Sequence, residues 1–460
     1  MRLPFLDRTD ELTRLRKLFA HPEGGLAVLY GRRRCGKSRL LQEAMGPFRF
    51  VYYVADDRES SMQRSSLAQE IARVLPGFDQ VSYPDWESLF SRWWREAQPG
   101  MILALDEFSA AVVRAPEIPS ILQKQIDRAA HRGPHLILAG SSQRMMQGLV
   151  LDRSAPLYGR AGEILKIAPL PCGWIRKALR IGDPVRAVES YAVWGGVPRY
   201  WELAADFTDL QSAVESLVLS PLGVLHQEPT RLLLDDLREI AQAASLLTLI
   251  GQGCHRVSEM AGRLGKPATA LSRPLQRLLE LDLIRRDFPF GASSRDSKRT
   301  LYRIADPFLR FWFRYVEPNR SLLAAGQISA VRRNLADTSP QHVAGIWEDL
   351  VRQSIPRAGY FGRRWKVAAP WWGTGWNKKH MEIDVVAESE DGASLLLGEA
   401  KWAAGSVGDA ALQALRQKVQ QLPLVGERKV LLGLWLKSVP ARAASPIDIF
   451  TPQDVLQVLQ

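Results

Sequence analysis

A lysine and a serine at the end of a glycine-bounded loop are the first residues whose spacing points to chemistry. The loop Gly31-Arg-Arg-Arg-Cys-Gly-Lys-Ser38 follows the apolar run Leu26-Ala-Val-Leu-Tyr30 and continues into a helical pattern. A strand, such a loop and a helix are the context of the phosphate-binding motif G-x-x-x-x-G-K-[ST], in which backbone N–H groups surround phosphate oxygens. Lys37 is therefore predicted to contact the outer phosphates of ATP, and the Ser38 hydroxyl to bind Mg²⁺.

Two carboxylates at the end of a second apolar run extend this site. Asp106 and Glu107 follow Met101-Ile-Leu-Ala-Leu105, and the strands of an open α/β sheet deliver residues at their C-terminal ends to the ligand crevice. Asp106 is predicted to hold the hydration shell of Mg²⁺, and Glu107 to polarise the water that attacks the γ-phosphate of ATP. The alternative is a solvated strand end.

Two further residues are candidates for contact with the γ-phosphate. Ser141 follows the strand-like run His135-Leu-Ile-Leu-Ala139, although small polar residues after a strand also form ordinary turns. Arg160 supplies a cation for the transferred phosphoryl group, in cis or from a neighbouring subunit of a homo-oligomer; its alternative is a surface arginine. The predicted nucleotide-contacting residues are Gly31, Arg32, Arg33, Arg34, Cys35, Gly36, Lys37, Ser38, Arg39 and Ser141.

A third group of charged residues lies on two strand-like runs near the C-terminus. Glu399 and Lys401 are two positions apart, so their side chains project from the same face of one strand, while Asp384 lies on the preceding run. Two carboxylates can share Mg²⁺ or Mn²⁺, which clamps a scissile phosphate while Lys401 positions the attacking water. The alternative is a surface strand of alternating charge.

Three helical patterns and two strand-like runs between residues 237 and 304 match the plan of a winged helix-turn-helix, whose third helix enters a DNA major groove. Between Arg263 and Arg303 the chain has ten Lys and Arg against four Asp and Glu. Packing or protein contact is the alternative role, and Pro274 predicts a kink or a later start of the third helix. The candidate DNA contacts are Thr269, Ser272, Arg273 and Arg277 on the helix, and Arg295, Lys298 and Arg299 on the wing.

The segment Pro370-Trp-Trp-Gly-Thr-Gly-Trp-Asn-Lys-Lys-His380 is both aromatic and basic. Such a segment can stack on nucleic acid near the acidic residues. Equally, its tryptophans can cap the sheet as part of the core.

Composition sets broad limits. A chain of 460 residues with 46% hydrophobic and 24% charged residues is globular and long enough for about three domains. A net charge of +12 favours a polyanionic partner such as DNA, although such a charge also serves plain solubility. The three cysteines follow no C-x-x-C spacing, and neither a signal peptide nor a membrane span is predicted, so a cytoplasmic location is expected.

The N-terminal motifs together resemble the archaeal-type ATPase family, P-loop proteins related to the AAA+ and STAND ATPases. This resemblance implies that Gly195, Gly196 and Pro198 lie near the adenine, with a tight turn between helices as the alternative. It rests on Asp7-Arg8 with Glu11-Leu12, the arginine-rich phosphate loop, Leu105-Asp-Glu-Phe108, Leu138-Ala-Gly-Ser-Ser142, Leu157-Tyr-Gly-Arg160 and Trp194-Gly-Gly-Val-Pro-Arg-Tyr200.

Asp384 followed by Glu399-x-Lys401 resembles the core of the PD-(D/E)XK nuclease superfamily. The resemblance implies that Glu348, on the preceding helical pattern, is an additional acidic metal ligand beside Asp384 and Glu399. A C-terminal domain of this kind commonly follows a winged helix in the archaeal-type ATPase family.

These patterns predict an α/β protein of four parts: a P-loop parallel-sheet ATPase core (1–170), a helical lid subdomain (171–233), a winged helix-turn-helix (234–318) and a restriction-endonuclease-like domain (319–460). The predicted function is ATP binding and hydrolysis by a protein that engages DNA, with a Mg²⁺-dependent nuclease activity gated by nucleotide. The alternatives are a non-catalytic ATP-dependent DNA-binding regulator with a degenerate nuclease fold, and a signalling ATPase that uses its winged helix for protein contacts.

Overall fold

The computed structural model describes residues 3–129, 133–150, 152–236, 240–293, 299–403, 407–439 and 448–460. The chain divides into two compact units, residues 7–169 and residues 170–460 together with the first six residues. The finer division at residues 234 and 319 stays a prediction. No helix within the described ranges is long and apolar enough to cross a membrane.

The N-terminal unit is a five-stranded parallel sheet in the order β2-β3-β4-β1-β5, with helices in the connections. Every residue of β1, β3 and β4 is buried, as expected for central strands, whereas β2 and β5 alternate as sheet edges do. Its elements are α1 (Thr9–Phe19), β1 (Leu26–Tyr30), α2 (Lys37–Met45), β2 (Phe50–Val54), α3 (Ser60–Ala72), α4 (Trp86–Glu96), β3 (Ile102–Asp106), α5 (Phe108–Arg114), α6 (Ile118–Arg128), β4 (His135–Gly140), α7 (Gln143–Val150) and β5 (Ala161–Lys166).

The C-terminal unit begins with helices. The turn between the second and third contains Gly195 (φ 58°), with Pro198 opening the third, as the alternative of a tight turn predicts; proximity to adenine stays a prediction. A π-helical turn, Glu215–Leu219, continues the fourth helix. The helices are α8 (Ile175–Leu179), α9 (Pro184–Trp194), α10 (Pro198–Ala204), α11 (Leu210–Val214) and α12 (Glu228–Asp236).

Three helices and an antiparallel strand pair follow, in the order expected of a winged helix-turn-helix: α13 (Ile240–Gly251), α14 (Val257–Leu264), α15 (Ala268–Glu280), β6 (Ile284–Asp287) and β7 (Leu301–Ile304). Of the two outcomes predicted for Pro274, the later start is wrong, because α15 begins at Ala268 and spans Pro274, while the kink stays a prediction. The carbonyl that Pro274 deprives of an N–H partner belongs to Ala270, an exposed residue, so water can replace the lost bond.

The last part holds a second five-stranded sheet in the order β12-β11-β10-β9-β8. Strands β8, β9 and β10 are antiparallel neighbours, whereas β10, β11 and β12 are parallel, and α19 lies between β10 and β11 in the chain. This mixed sheet is compatible with a restriction-endonuclease-like domain. Its elements are α16 (Pro307–Tyr315), α17 (Arg320–Ala324), α18 (Ile328–Ser354), β8 (Ala369–Thr374), β9 (His380–Glu388), β10 (Ser394–Lys401), α19 (Val407–Gln420), β11 (Lys429–Leu436), β12 (Asp448–Phe450) and α20 (Pro452–Val458).

Candidate functional site

The glycine-bounded loop joins β1 to α2 as predicted. Gly31 has a φ of 150°, and a Cβ there would lie 2.3 Å from the carbonyl oxygen of Ile167, so no other residue fits. Gly36, with a φ of 89°, directly precedes the first turn of α2. The N-terminal N–H groups of α2 are thereby presented at the loop, where a helix terminus favours phosphate.

Lys37 is buried and folded back on the loop. Its Nζ donates to the carbonyl oxygens of Gly31 (2.7 Å) and Arg32 (3.1 Å). Burial lowers the pKa of Lys37, while the nearby Cys35, Glu107 and Asp106 act in the opposite direction. An ammonium held by two neutral carbonyls can exchange them for charged phosphate oxygens, because charge-assisted hydrogen bonds are the stronger ones.

Ser38 and Asp106 are in direct contact. The Ser38 hydroxyl donates to Oδ2 of Asp106 (2.7 Å), and the Tyr52 hydroxyl donates to the same oxygen. Hydroxyl and carboxylate oxygens are the ligands that Mg²⁺ prefers, so this pair fits the ion expected with ATP. Burial and the hydrogen bond to Asp106 raise the pKa of Tyr52, which keeps Tyr52 a neutral donor.

Glu107 and Ser141 are also brought together. Ser141 donates to the Glu107 carboxylate through its hydroxyl (2.6 Å) and through its backbone N–H (3.3 Å). Glu107 has a φ of 51° at the start of α5, and its own N–H donates to Oδ1 of Asp106 (2.9 Å). Ser141 therefore fixes the orientation of the carboxylate predicted to polarise water.

Two arginines of this unit have structural partners. Arg160 forms a two-point pair with Asp127, with nitrogen–oxygen distances of 2.7 Å and 2.9 Å, so its predicted contact with a phosphoryl group would require that pair to open. Arg8 is buried with a φ of 71° and donates to the carbonyl oxygens of Cys35 (3.4 Å) and Ala168. Arg8 thus ties the residues before α1 to the phosphate loop.

In the C-terminal unit, the predicted carboxylates and lysine meet at one end of β9 and β10. Lys401 Nζ lies 2.9 Å from Oδ2 of Asp384 and 2.6 Å from Oε2 of Glu399. Asp384 also accepts the backbone N–H of Ala400 (3.0 Å), just beyond Val385 and Gly398, the last paired residues of the two strands. The side chain of Asp384 thus takes the place of a ladder partner where the strands separate.

A second ammonium, that of Lys418 on α19, reaches the other oxygen of Glu399 at 2.6 Å. Burial and Asp384 raise the pKa of Glu399, against the opposing effect of the lysines. Burial acts to raise the pKa of Asp384 as well, but Lys401 outweighs it and the net shift is downward. Both acids are therefore compensated by side-chain cations.

Helix α18 contributes Glu348 beside this pair. Burial and the Asp384 carboxylate raise the pKa of Glu348 to about 7. Arg352, one turn further along, lies 3.8 Å from Glu348 and donates to the backbone carbonyl of Asp384 (2.8 Å). Arg352 therefore links the predicted additional acid to the strand that carries Asp384.

Buried Asp349 is the centre of a larger ion cluster. It is paired with Arg285 of β6 (2.6 Å), Arg352 of α18 (2.5 Å) and Arg310 of α16 (3.6 Å). Arg285, foremost among these cations, holds the pKa of Asp349 well below its usual range against the effect of burial. The guanidinium of Arg310 occupies the space beside Gly345, where a Cβ would lie 2.4 Å from its Nη2.

A metal at the C-terminal site would have suitable donors. Glu348, Asp384 and Glu399 offer the oxygen ligands of Mg²⁺ or Mn²⁺. In the described part of the chain, however, no three or more His, Cys, Asp or Glu side chains are grouped closely enough to hold an ion. Because the ammonium of Lys401 contacts both Asp384 and Glu399, an ion shared by these two acids would have to displace it.

The exposed face of α15 carries the predicted DNA contacts. Thr269, Ser272 and Arg273 are exposed and Arg277 is half-buried, while Leu271, Leu275 and Leu278 form the buried stripe. Two of the counted arginines are engaged elsewhere, because Arg285 and Arg303 both pair with Asp287. Arg299 is exposed, and Arg295 and Lys298 lie outside the described residues.

Comparison with known proteins identifies two parts of the chain. Residues 5–198 match the model of an ATPase domain predominantly from Archaea. The chain contains an archaeal-type ATPase domain. Residues 312–413, beyond the ATPase domain, match a family of archaeal and bacterial proteins of unknown function.

Relatives extend the likeness beyond the ATPase domain. An uncharacterized protein of Methanocaldococcus jannaschii is 27% identical over 407 residues, which cover 86% of this chain and 87% of that protein. A Walker-type ATPase of Pyrococcus abyssi has a TM-score of 0.52 at 18% identity, covering 67% of this chain and 96% of the other, a likeness of fold. An Aeropyrum pernix ORC2 protein has a TM-score of 0.45 at 14% identity, covering 71% and 96%.

Several residues at these sites carry no recognisable sequence signal. Tyr52 on β2 contacts Asp106, and Lys418 on α19 contacts Glu399. In both pairs the two residues are far apart in the sequence. Arg8 is indicated only by the resemblance to the archaeal-type ATPase family, which gives it no role. Arg352 and Asp349 sit in a charged helix whose pairings depend on two other elements.

Proposed function

We propose that this archaeal-type ATPase couples nucleotide hydrolysis to the engagement of DNA, and that its C-terminal sheet carries a divalent-metal-dependent nuclease site. The observation that carries the proposal is the meeting of Asp384, Glu399 and Lys401 at the point where β9 and β10 separate, with one ammonium in contact with both carboxylates. Two carboxylates and a lysine at such a position could hold a divalent ion and orient water at a phosphodiester once the ammonium of Lys401 moves away.

DNA engagement is assigned to α15. Its exposed face, with Thr269, Ser272 and Arg273, follows the basic residue Lys266, also exposed. A helix presented in this way can reach base edges in a major groove while arginine and lysine contact phosphates. The net charge of +12 favours the same class of partner.

In the ATPase domain, Lys37 would bind the outer phosphates of ATP, Ser38 and Asp106 would hold Mg²⁺, and Glu107 would orient the attacking water. The contact between Ser141 and Glu107 gives this carboxylate a defined position without nucleotide. We propose a change in this contact as the way in which nucleotide gates the remainder of the chain.

The test is incubation of the purified protein with linear, circular and single-stranded DNA, with Mg²⁺ or Mn²⁺, with and without ATP. We expect cleavage that the double variant Asp384→Ala/Lys401→Ala loses and that the exposed control Asp391→Ala/Lys429→Ala retains. Lys37→Ala removes ATP binding, whereas Glu107→Gln binds ATP without hydrolysing it. Different cleavage by these two variants would separate gating by binding from gating by hydrolysis.

A second function has its own supporting observation. Both oxygens of Glu399 already accept from ammonium groups, of Lys401 and Lys418, which is a closed ion cluster of the kind that stabilises a fold without catalysis. In that case the chain is an ATP-dependent DNA-binding switch. DNA that is shifted in a gel but uncut, with metal bound to the protein, would select this function over the nuclease.

A further inference from the structure

Three tryptophans lie in β8 and in the turn between β8 and β9, and they differ in their exposure to solvent. Trp371 and Trp372 are 4% and 7% exposed and belong to the sheet, whereas Trp376 is 71% exposed. Capping of the sheet therefore accounts for the first two tryptophans only. The indole of Trp376 is the largest apolar side chain left exposed among the described residues.

The backbone beneath Trp376 is fixed. The Trp376 N–H donates to the carbonyl of Gln421 (2.9 Å), the Gly375 N–H to Lys379 (3.0 Å) and the Lys379 N–H to Oδ1 of Asn377 (3.0 Å). A Cβ at Gly375 would meet the Gln421 carbonyl at 3.0 Å. Since the turn is already ordered, binding to Trp376 would immobilise little more than the indole.

The charge around Trp376 is positive. Lys378, Lys379 and His380 are all exposed, and the segment from Pro370 to Met381 contains no Asp or Glu. An exposed indole flanked by ammonium groups matches a nucleic-acid strand, whose bases stack on aromatic rings while phosphates contact lysines. An indole stacks on a base face that no neighbouring base covers. A duplex offers such a face only at its ends, whereas the bases of a single strand unstack and offer it along the strand, so an unpaired base is the matching ligand.

This turn leads directly to the acidic–lysine site. His380, Glu382 and Asp384 share one face of β9, and the first and last of them are roughly 13 Å apart along the strand. On the other side, Gln421 follows the last turn of α19, whose Lys418 contacts Glu399. A strand of nucleic acid held at the turn is thus within a few nucleotides of the carboxylates.

We propose that Trp376, Lys378 and Lys379 form a stacking platform for an unpaired base of a DNA strand that is directed to the Asp384–Lys401 site. This inference rests on the proposed function in one respect, the direction of the strand. The binding itself requires neither cleavage nor ATP. The form of DNA that matches this platform is a single strand or a duplex with an unpaired end.

The test is equilibrium binding of fluorescein-labelled oligo-dT to the full chain, in EDTA so that no metal-dependent cleavage occurs. We expect Trp376→Ala to weaken binding roughly 5- to 100-fold and Trp376→Phe to retain most of it, because one stacked base is lost or kept. Lys378→Ala/Lys379→Ala is expected to lower the salt slope by about 0.7 per lysine. The control Leu222→Ala, at a side chain 97% exposed, should bind like the unaltered chain.

Other outcomes separate this inference from the proposed function. If blunt duplex DNA binds and Trp376→Ala leaves oligo-dT affinity unchanged, the platform is wrong while DNA engagement stands. If neither DNA form binds, both are wrong. Trp376-dependent binding to vesicles of anionic lipid, without binding to oligo-dT, would overturn the platform in favour of a membrane contact.

Discussion

The two candidate sites hold their charged groups in opposite ways. In the N-terminal unit, Lys37 is held by backbone carbonyls, and Asp106 and Glu107 are held by hydroxyl and N–H groups. In the C-terminal unit, Asp384 and Glu399 are in contact with lysine ammonium groups. Neutral partners fix the charges of the first site, whereas opposite charges cancel those of the second.

The N-terminal site therefore keeps charges that ligands can use, whereas the charges of the C-terminal site are already balanced by one another. Carbonyls and hydroxyls around Lys37 and Asp106 leave the fields of these charges available to phosphates and Mg²⁺. Around Asp384, an incoming metal ion must replace a cation that belongs to the protein. Nucleotide is therefore expected to bind the first site readily, while the second depends on a substrate that draws Lys401 away.

The largest expected effect breaks the charge balance of the C-terminal unit. Asp349→Asn removes the carboxylate that Arg285, Arg352 and Arg310 share and thereby takes the central counter-charge out of a buried ion cluster, so we expect a loss of about 3–5 kcal/mol in unfolding free energy. Urea unfolding measures it. Asp391→Asn is the matched control, because its carboxylate is 61% exposed; an equal loss in both variants would contradict the buried cluster.

The second largest expected effect comes from removing Lys37, the cation held by backbone carbonyls. Lys37→Ala is expected to lower ATP turnover about 10²- to 10³-fold, the usual cost of losing one fixed donor to a transition state. Its effect on unfolding should be smaller than that of Asp349→Asn, because the direct partners of Lys37 are neutral backbone carbonyls. Phosphate release and urea unfolding measure the two effects, with the exposed Lys17→Ala as control. Unchanged turnover would remove Lys37 from the site.

The pKa of Glu348 gives a stability that depends on pH. Its folded value of about 7 lies above the ordinary 4.5, so the folded state binds more protons between these values and stability falls as pH rises through this window. Glu348→Gln is uncharged throughout, and we expect it to exceed the unaltered chain at pH 8 by roughly 1–3 kcal/mol. Unfolding in EDTA from pH 5 to pH 8, with exposed Glu390→Gln as control, measures the slope; equal slopes would refute the shift.

The smallest expected effect concerns Arg160 and Asp127. Because the pair is partly exposed, either alanine variant should change unfolding by less than about 1 kcal/mol. Turnover distinguishes their roles: a phosphoryl contact predicts that Arg160→Ala lowers it while Asp127→Ala does not. Equal turnover in the Arg160→Ala and Asp127→Ala variants would show that Arg160 forms only a surface ion pair.

Much of the fold could be predicted because its signals are local. The buried strands β1, β3 and β4 follow from unbroken apolar runs, and the phosphate loop follows from its glycines. The start of α18 could not be predicted in this way, because this helix begins at Ile328 and spans Pro340, a residue that locally favours the end of a helix. The carbonyl freed by Pro340 belongs to exposed Ala336 and accepts a hydrogen bond from the Ser339 hydroxyl at 3.5 Å, so the helix continues.

The candidate sites were predictable only in part. Period-two spacing places Glu399 and Lys401 on one face of β10, and their contact follows from that. Nothing local indicates that Lys418 meets Glu399 or that Tyr52 meets Asp106, because these contacts depend on how distant elements pack. The same limit applies to charge: counting arginines near α15 could not reveal that Arg285 and Arg303 are already paired.

The Asp349 cluster also bears on inheritance. Its three arginines come from β6, α16 and α18, so the cluster crosses the predicted boundary at residue 319. A gene fragment that began there would encode Asp349 with only Arg352 of its three partners. Recombination at this boundary would leave the buried carboxylate of Asp349 without two of its arginine partners. The segments on either side are therefore expected to pass between genomes as one unit.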